Sequence, residues 1–493
     1  MSPAHVVMVA SEMTPWAKTG GLADVAGALP AALDELGITV TSFVPRYGGV
    51  AVDAARRLTR PITRGALGFD VTYHVVERSP RRREVLVDIP PLFERSGIYG
   101  EGGHDYGDNA ERFAMLALAA LEFAVDDTSA PSVDVIHAHD WEAGLVPLLA
   151  RFDDRYGERF ADAGFVFTIH NLAYQGVFDR DVVPRLGLPW STFRIDTAEF
   201  WGRFSFMKAG IVASDMVTTV SPTYARETLG PEAGCGLDGV LAALGDRYLG
   251  ILNGIDTEVW NPATDPFLPA RFHAADRAGK AVCKRALLER FGLPVGDDAM
   301  GRPLVAMMAR LVSQKGFDLI AEAADELVEL DAMWVFAGEG EPRYEEMLRN
   351  LSARYPSRVG VFVGFDEQLA HLVQAGADLF LMPSQYEPCG LNQLYSLRYG
   401  TIPVVTAVGG LDDTVRPYTP RARHANGFKF RDQSAATLLR TLRQAVRVYR
   451  DRPVWADLVA RAMARDSSWR TPAREYVKVY RRARQLARGR RDT

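Results

Sequence analysis

The chain has 493 residues, with 57 Lys and Arg against 62 Asp and Glu, a net charge of −5 and 47% hydrophobic residues. That balance offers no global attraction to nucleic acid or to an anionic membrane, and the length predicts about two to four domains with large cores. Cys235, Cys283 and Cys389 are too few and too far apart for a disulfide scaffold or a zinc module, which fits a reducing compartment.

The first apolar run, His5 to Ala10, reads as a buried strand, and the spacing from Leu22 to Leu36 predicts a helix. Between them, Lys18-Thr19-Gly20-Gly21 places a cation and a flexible turn where a strand hands over to a helix, which is where α/β proteins keep an anion. Lys18 precedes the glycines instead of following them, so this turn is not a G-x-x-x-x-G-K phosphate loop. Arg81-Arg82-Arg83, after Ser79-Pro80, reads as a solvated hairpin turn. The most apolar stretch, Met115 to Val125, is broken by Glu122, and no basic and apolar leader opens the chain. A cytoplasmic chain without a membrane span is therefore expected.

Further β-branched runs at Val133–His137, Phe165–Ile169, Met216–Val220 and Tyr248–Leu252 alternate with helical spacing, the signature of a mainly parallel, doubly wound sheet. Ligands of such sheets bind beyond the carboxyl ends of the strands. There the chain carries Ala138-His139-Asp140-Trp141 and His170-Asn171-Leu172-Ala173-Tyr174: a carboxylate, imidazoles, an amide and two aromatic rings. A sugar needs that mixture, because its hydroxyls take polar partners while its ring faces pack on aromatics. His137 alternates with His139 and reads as a structural histidine. The two lie on a strand with no cluster of Cys or acid beside them, so no metal is expected.

Asn253-Gly254-Ile255-Asp256 and a segment with Pro262, Pro266 and Pro269 form a linker, since none of these continues a regular element. The alternation then restarts with strands at Pro303–Ala309, Ala332–Ala337, Val359–Val363, Ala377–Met382 and Ile402–Thr406, and a helix over Phe317–Val328. Arg310 follows one strand and Lys315 precedes Gly316 and a helix, two cations placed to stabilise a departing diphosphate by charge. After another strand comes Ser384-Gln385-Tyr386-Glu387-Pro388-Cys389-Gly390-Leu391, and Gly409-Gly410 offers a further close backbone approach. The C-terminal arginines, from Arg481 to Arg491, read as the solvent-facing side of a last helix.

In register over nearly the whole chain, these motifs, with Ser221-Pro222-Thr223-Tyr224-Ala225-Arg226-Glu227, resemble the signatures of bacterial glycogen synthases and plant starch synthases. The resemblance implies an α/β chain of GT-B architecture, two Rossmann-like doubly wound domains facing each other across a cleft. Residues 1–258 would form the acceptor side and 259–493 the donor side, with a last helix at about 471–488 packing back on the first domain. It also implies transfer of glucose from ADP-glucose to the non-reducing end of an α-1,4-glucan such as glycogen, with retention and without metal or cofactor. Carried over by position, Lys18 and Gly21 contact the donor, Arg310 and Lys315 neutralise the diphosphate, and Asp140 and Asn171 surround the transferred glucose. Asn253 lines the cleft, His170 sits beside the anomeric centre, and Glu387 holds sugar hydroxyls. Cys389, Gly390 and Leu391 belong to the loop meeting sugar and phosphate.

Tyr395 stands where a related family has a second Glu for the ribose. Val408 and Asp412 depart from the Thr and Ala more usual around Gly409-Gly410. Two other readings are a retaining transferase acting on a small sugar phosphate and an inactive glucan-binding protein. The second predicts eroded charges, yet Lys18, Asp140, His170, Arg310, Lys315 and Glu387 are all present.

Overall fold

The computed structural model describes residues 4–54 and 56–491. The chain divides into two compact units, Met1–Gly254 with Trp469–Thr493, and Ile255–Ser468.

Unit 1 is built on a nine-stranded sheet. Across it the strands run Tyr248–Gly250, Met216–Thr219, Gly164–Ile169, Val135–His139, His5–Val9, Thr39–Pro45, Arg82–Asp88, Leu67–Ser79 and Arg56–Arg64. The first seven are parallel and the last two join antiparallel. The side-chain period of two divides the core: Val6 and Met8 face Val25, Leu29 and Leu33, while Val7 and Val9 face Phe113 and Leu116. Both faces of the central strands His5–Val9, Val135–His139 and Gly164–Ile169 are covered, which is why they are buried throughout. Each buried Val, Ile, Phe or Met there contributes about 1.5–3 kcal/mol.

The antiparallel hairpin changes one reading. The turn is Pro80-Arg81, with Arg81 paired to Asp34 at 2.9 Å. Arg83, however, is buried inside a strand, donating to Thr41 Oγ1 at 2.9 Å and Ser129 Oγ at 2.8 Å and pairing with Asp127. The triplet is therefore a turn residue followed by strand residues, not a solvated turn.

The final helix, Arg470–Arg491, lays Ala473, Tyr476, Val477, Tyr480 and Ala483 on the face that holds Val6, Val135 and Val166. Gly164 permits the approach, since a Cβ there would lie 2.6 Å from the Arg484 backbone nitrogen. Its arginines are not simply solvent-facing. Arg484 pairs with Asp134 at 2.6 Å and Arg490 pairs with Asp215, ion pairs that need the helix to lie along the strand ends.

Unit 2 carries a six-stranded parallel sheet in the order Val359–Val363, Met333–Gly338, Leu304–Met308, Leu379–Met382, Ile402–Thr406, Phe428–Phe430. The linker is fixed to this unit by stacking. Trp260 lies 4.0 Å from His371 and 3.8 Å from Tyr395, and Asp265 accepts from His371 at 2.7 Å and from Tyr399 at 2.5 Å. Tyr395 thus packs in the core of unit 2.

Candidate active site

Among the parallel strands of each unit the strand order reverses direction once. The reversal lies between His5–Val9 and Val135–His139 in unit 1, and between Leu304–Met308 and Leu379–Met382 in unit 2. The loops leaving neighbouring strands on either side of a reversal diverge and open a crevice. Lys18, Gly21, Asp140, Arg310, Lys315, Glu387, Cys389, Gly390 and Leu391 fall on those loops or at the start of the helix beyond, whereas His170 and Asn171 follow the next strand, Gly164–Ile169, and Asn253 follows the edge strand Tyr248–Gly250.

In unit 1 the turn after the first strand is organised by Glu12. Its carboxylate accepts from the Thr19 N–H, from Thr19 Oγ1 at 2.6 Å and from the Gly20 N–H at 3.2 Å. Lys18 is exposed and paired with Asp24 at 2.6 Å, in the first turn of the helix Gly21–Glu35 that Gly21 opens. Asp24 there also favours the helix dipole.

Asp140 follows the strand Val135–His139 with a positive φ of 55°, a conformation that costs a non-glycine residue on the order of 1 kcal/mol. The surroundings hold it there. Its N–H donates to the Thr168 carbonyl at 2.9 Å, and its Oδ1 accepts from the backbone N–H of His170 at 2.7 Å and of Asn171 at 3.4 Å. Two strand ends are tied together through one carboxylate. Burial pushes that carboxyl up to about 7, against the two N–H donors that favour its charge, and the nearby Glu12 adds to the rise. Glu142, buried beside it, is raised well above the usual range by burial and then by Asp140.

His170 points Nε2 at His139 Nδ1, 3.0 Å away. Burial lowers His170 to about 3, so near neutral pH both rings are uncharged and one donates to the other. His137 is structural, bonded to Tyr480 Oη at 2.9 Å and Thr168 Oγ1 at 2.6 Å. The Ser221-Pro222-Thr223-Tyr224 motif supports the same turn: Ser221 caps a short helix, and the Leu172 N–H donates to Tyr224 Oη at 3.2 Å. Asn253 follows the strand Tyr248–Gly250 at the end of unit 1.

In unit 2, Gly316 at φ 84° ends a short turn and starts the helix Phe317–Glu329. A Cβ there would sit 2.1 Å from the Pro383 carbonyl oxygen, so the Lys315 and Glu387 loops lie against each other. Lys315 Nζ donates to Glu387 Oε2 at 2.6 Å, and Ser384 Oγ donates to the same oxygen at 3.1 Å. Arg310 is exposed and donates to Gln314 at 3.3 Å.

The loop to Leu391 is braced from behind. The Gly410 N–H donates to the carbonyls of Glu387 and Pro388, both at 3.1 Å, and Gln393 donates to those of Cys389 and Gly390. Gly390 has φ 72°, and Leu391 precedes the helix Asn392–Arg398. The two glycines of the late loop therefore support the backbone of the Glu387 loop. Asp412, the departure beside them, pairs with Lys429 at 2.8 Å.

Sequence reasoning passed over Glu12, Tyr99 and Glu142. Tyr99 donates to Glu12 at 2.5 Å and shares a 2.9 Å hydrogen bond with Ser11, making one acidic network under the Asp140 turn. Position was the available signal: Glu12 lies just past the first strand, and Glu142 two residues after Asp140.

Two Rossmann-like units, each with polar and charged groups gathered at its reversal point, define the GT-B class of glycosyltransferase. A family model described as starch synthase catalytic domain matches residues 5–243, and one described as glycosyl transferases group 1 matches residues 295–455. The chain is 50% identical over 481 residues to a glycogen synthase of Anaeromyxobacter sp. (strain Fw109-5), covering 97% of this chain and 99% of that one. It is 43% identical over 479 residues to the glycogen synthase of Geobacillus stearothermophilus, covering 96% and 97%. The structure resembles the catalytic domain of starch synthase IV from Arabidopsis thaliana bound to ADP and acarbose, with a TM-score of 0.90, 34% identity, and coverage of 98% and 100%. Sucrose-phosphate synthase from Thermosynechococcus elongatus, with a TM-score of 0.59, 18% identity and coverage of 97% and 98%, shares the fold. The chain belongs to the glycogen and starch synthase family.

Proposed function

We propose that the protein transfers glucose from ADP-glucose to the non-reducing end of an α-1,4-glucan, as a glycogen synthase, with retention at the anomeric carbon. The observation that carries this reading is the 2.6 Å pair between Lys315 and Glu387 at the reversal point of unit 2. It sets a cation for a diphosphate beside an acceptor for sugar hydroxyls, the two recognition needs of a sugar nucleotide. The relatives named glycogen synthase and the neighbour bound to ADP support the donor and acceptor named here.

Roles follow from the groups. Arg310 and Lys315 take the charge that grows on the leaving diphosphate, so the reaction needs no metal and no cofactor. Lys18 and the backbone at Gly21 contact the donor, and Asn253 and the Cys389-Gly390-Leu391 loop complete its binding. Asp140, Asn171 and His170 position the transferred glucose. The Asp140 carboxyl, ionised above about pH 7, places negative potential where positive charge develops at the anomeric carbon. The departing phosphate accepts the proton of the attacking hydroxyl on the same face of the sugar, giving retention without a covalent intermediate.

Labelled ADP-glucose and UDP-glucose, each incubated with glycogen in the presence of a chelator, test the reading. Label is expected in polymer from ADP-glucose. No incorporation from either donor would refute it.

A further inference from the structure

A short hairpin on unit 1 carries an unusual residue at its tip. The strands Glu199–Phe200 and Arg203–Ser205 pair with Phe200 opposite Arg203, leaving a two-residue loop, Trp201-Gly202. Both loop residues have positive φ, 53° and 77°, the geometry of a type I′ turn. That turn favours Asn or Gly at its first position, because the left-handed region is strained for a bulky residue. Here a tryptophan holds it, with 83% of its surface exposed. The turn itself is secured without the ring, by Glu199 accepting the Gly202 N–H at 2.6 Å. The turn residues do not call for an indole; the ring meets Phe200 edge-on, with centroids 6.3 Å apart, and leaves most of its surface open.

Its surroundings connect it to the site. The indole Nε1 lies 3.6 Å from where a Cβ on Gly236 would sit, and the neighbouring Cys235 carbonyl accepts from Gln175 Nε2 at 3.0 Å. Gln175 follows Tyr174, itself 52% exposed, on the turn that begins at His170 and Asn171. Trp201 and Tyr174 are thus exposed rings joined through the Gln175–Cys235 hydrogen bond to the turn that begins at His170.

The geometry points to Trp201, with Tyr174, as a stacking platform for the glucan chain beyond its reacting end. A polymer of glucose offers flat C–H faces at regular intervals, and an indole adds an N–H donor for a hydroxyl. The rim suits a neutral polar polymer, since its charges pair internally, Arg194 with Asp196 and Arg203 with Asp179. This assignment rests on the glucan acceptor proposed above.

The test is W201N, which keeps the turn geometry, assayed in the full chain. Retention in glycogen-containing gels, run without donor, should weaken about three- to tenfold, the loss of one aromatic contact. KM for glycogen should rise in parallel, while KM for ADP-glucose, turnover on a short maltooligosaccharide and the thermal midpoint hold or improve. Unchanged glycogen retention would overturn the platform, as would a change in oligomeric mass on substitution, which would mark a contact between copies. Because retention is read without donor, it fails or holds independently of whether ADP-glucose is the substrate.

Discussion

Replacing Asp140 by Asn should stabilise the protein at alkaline pH while removing its activity. Asparagine keeps an oxygen for the His170 and Asn171 N–H groups, so the link between the strand ends survives. What it removes is a buried negative charge beside Glu12 and Glu142. The folded value of about 7 lies above the ordinary 3.8, so the folded state holds the proton more tightly than the unfolded state. The sign follows: below 3.8 both states are protonated and the group contributes nothing. As pH rises toward 7 the unfolded chain alone loses the proton and the wild type loses stability, and above 7 the deficit is constant. At about 1.4 kcal/mol per pH unit, the advantage of D140N should grow by about 2 kcal/mol between about pH 5.5 and 7.5 and then level off. In thermal denaturation this is a widening gap of about 4 °C between variant and wild type. Turnover with ADP-glucose and glycogen should fall by at least about 100-fold above about pH 7, where the wild-type carboxyl is charged, and the ratio should narrow as pH falls below 7. A gap that does not change with pH, or one that shrinks as pH rises, would refute the burial argument.

Among the described residues, Lys315→Ala leaves Glu387 Oε2 with the Ser384 hydroxyl, and it removes the cation proposed for the diphosphate. Turnover should drop about 10²–10³-fold while KM for glycogen moves little, and full activity would sink the assignment. Gly409→Ala would place a Cβ 1.9 Å from the Glu387 carbonyl oxygen at φ 42°. A stability loss of about 2–4 kcal/mol and a matching loss of turnover are expected, whereas Gly239→Ala, with open space around it, should be neutral or stabilising. Equal behaviour of the two glycine variants in thermal melts would contradict the bracing of the Glu387 loop.

The parallel strands were legible because each is a run of buried apolar residues followed by a polar turn, and a reversal of strand order puts those turns together. Lys18, Asp140, His170, Lys315 and Glu387 could be read as strand-end residues for that reason. The turn of the hairpin Leu67–Asp88 could be read but its strands could not, since they mix exposed Asp70, Glu77 and Arg78 and a buried Arg83 with buried valines and lack a long uniform run. Glu12 and Tyr99 meet across 87 positions, a contact that no local spacing encodes. Arg484 and Arg490 looked like a charged tail because their partners, Asp134 and Asp215, lie hundreds of residues upstream. Tyr395 read only as a missing acid, whereas its place is set by the ring of Trp260 from the linker. Local pattern specified where chemistry leaves the sheets, and long-range packing specified how each group is held.

The most direct test of the central claim is the linkage made by the protein. Glycogen extended with labelled ADP-glucose is digested with an exo-acting β-amylase, and ADP release is counted beside it. Release of the label as maltose, with one ADP formed per glucose incorporated, is the expected result. Label resistant to that digestion, or ADP formed without incorporation, would contradict transfer to the non-reducing end of an α-1,4-glucan.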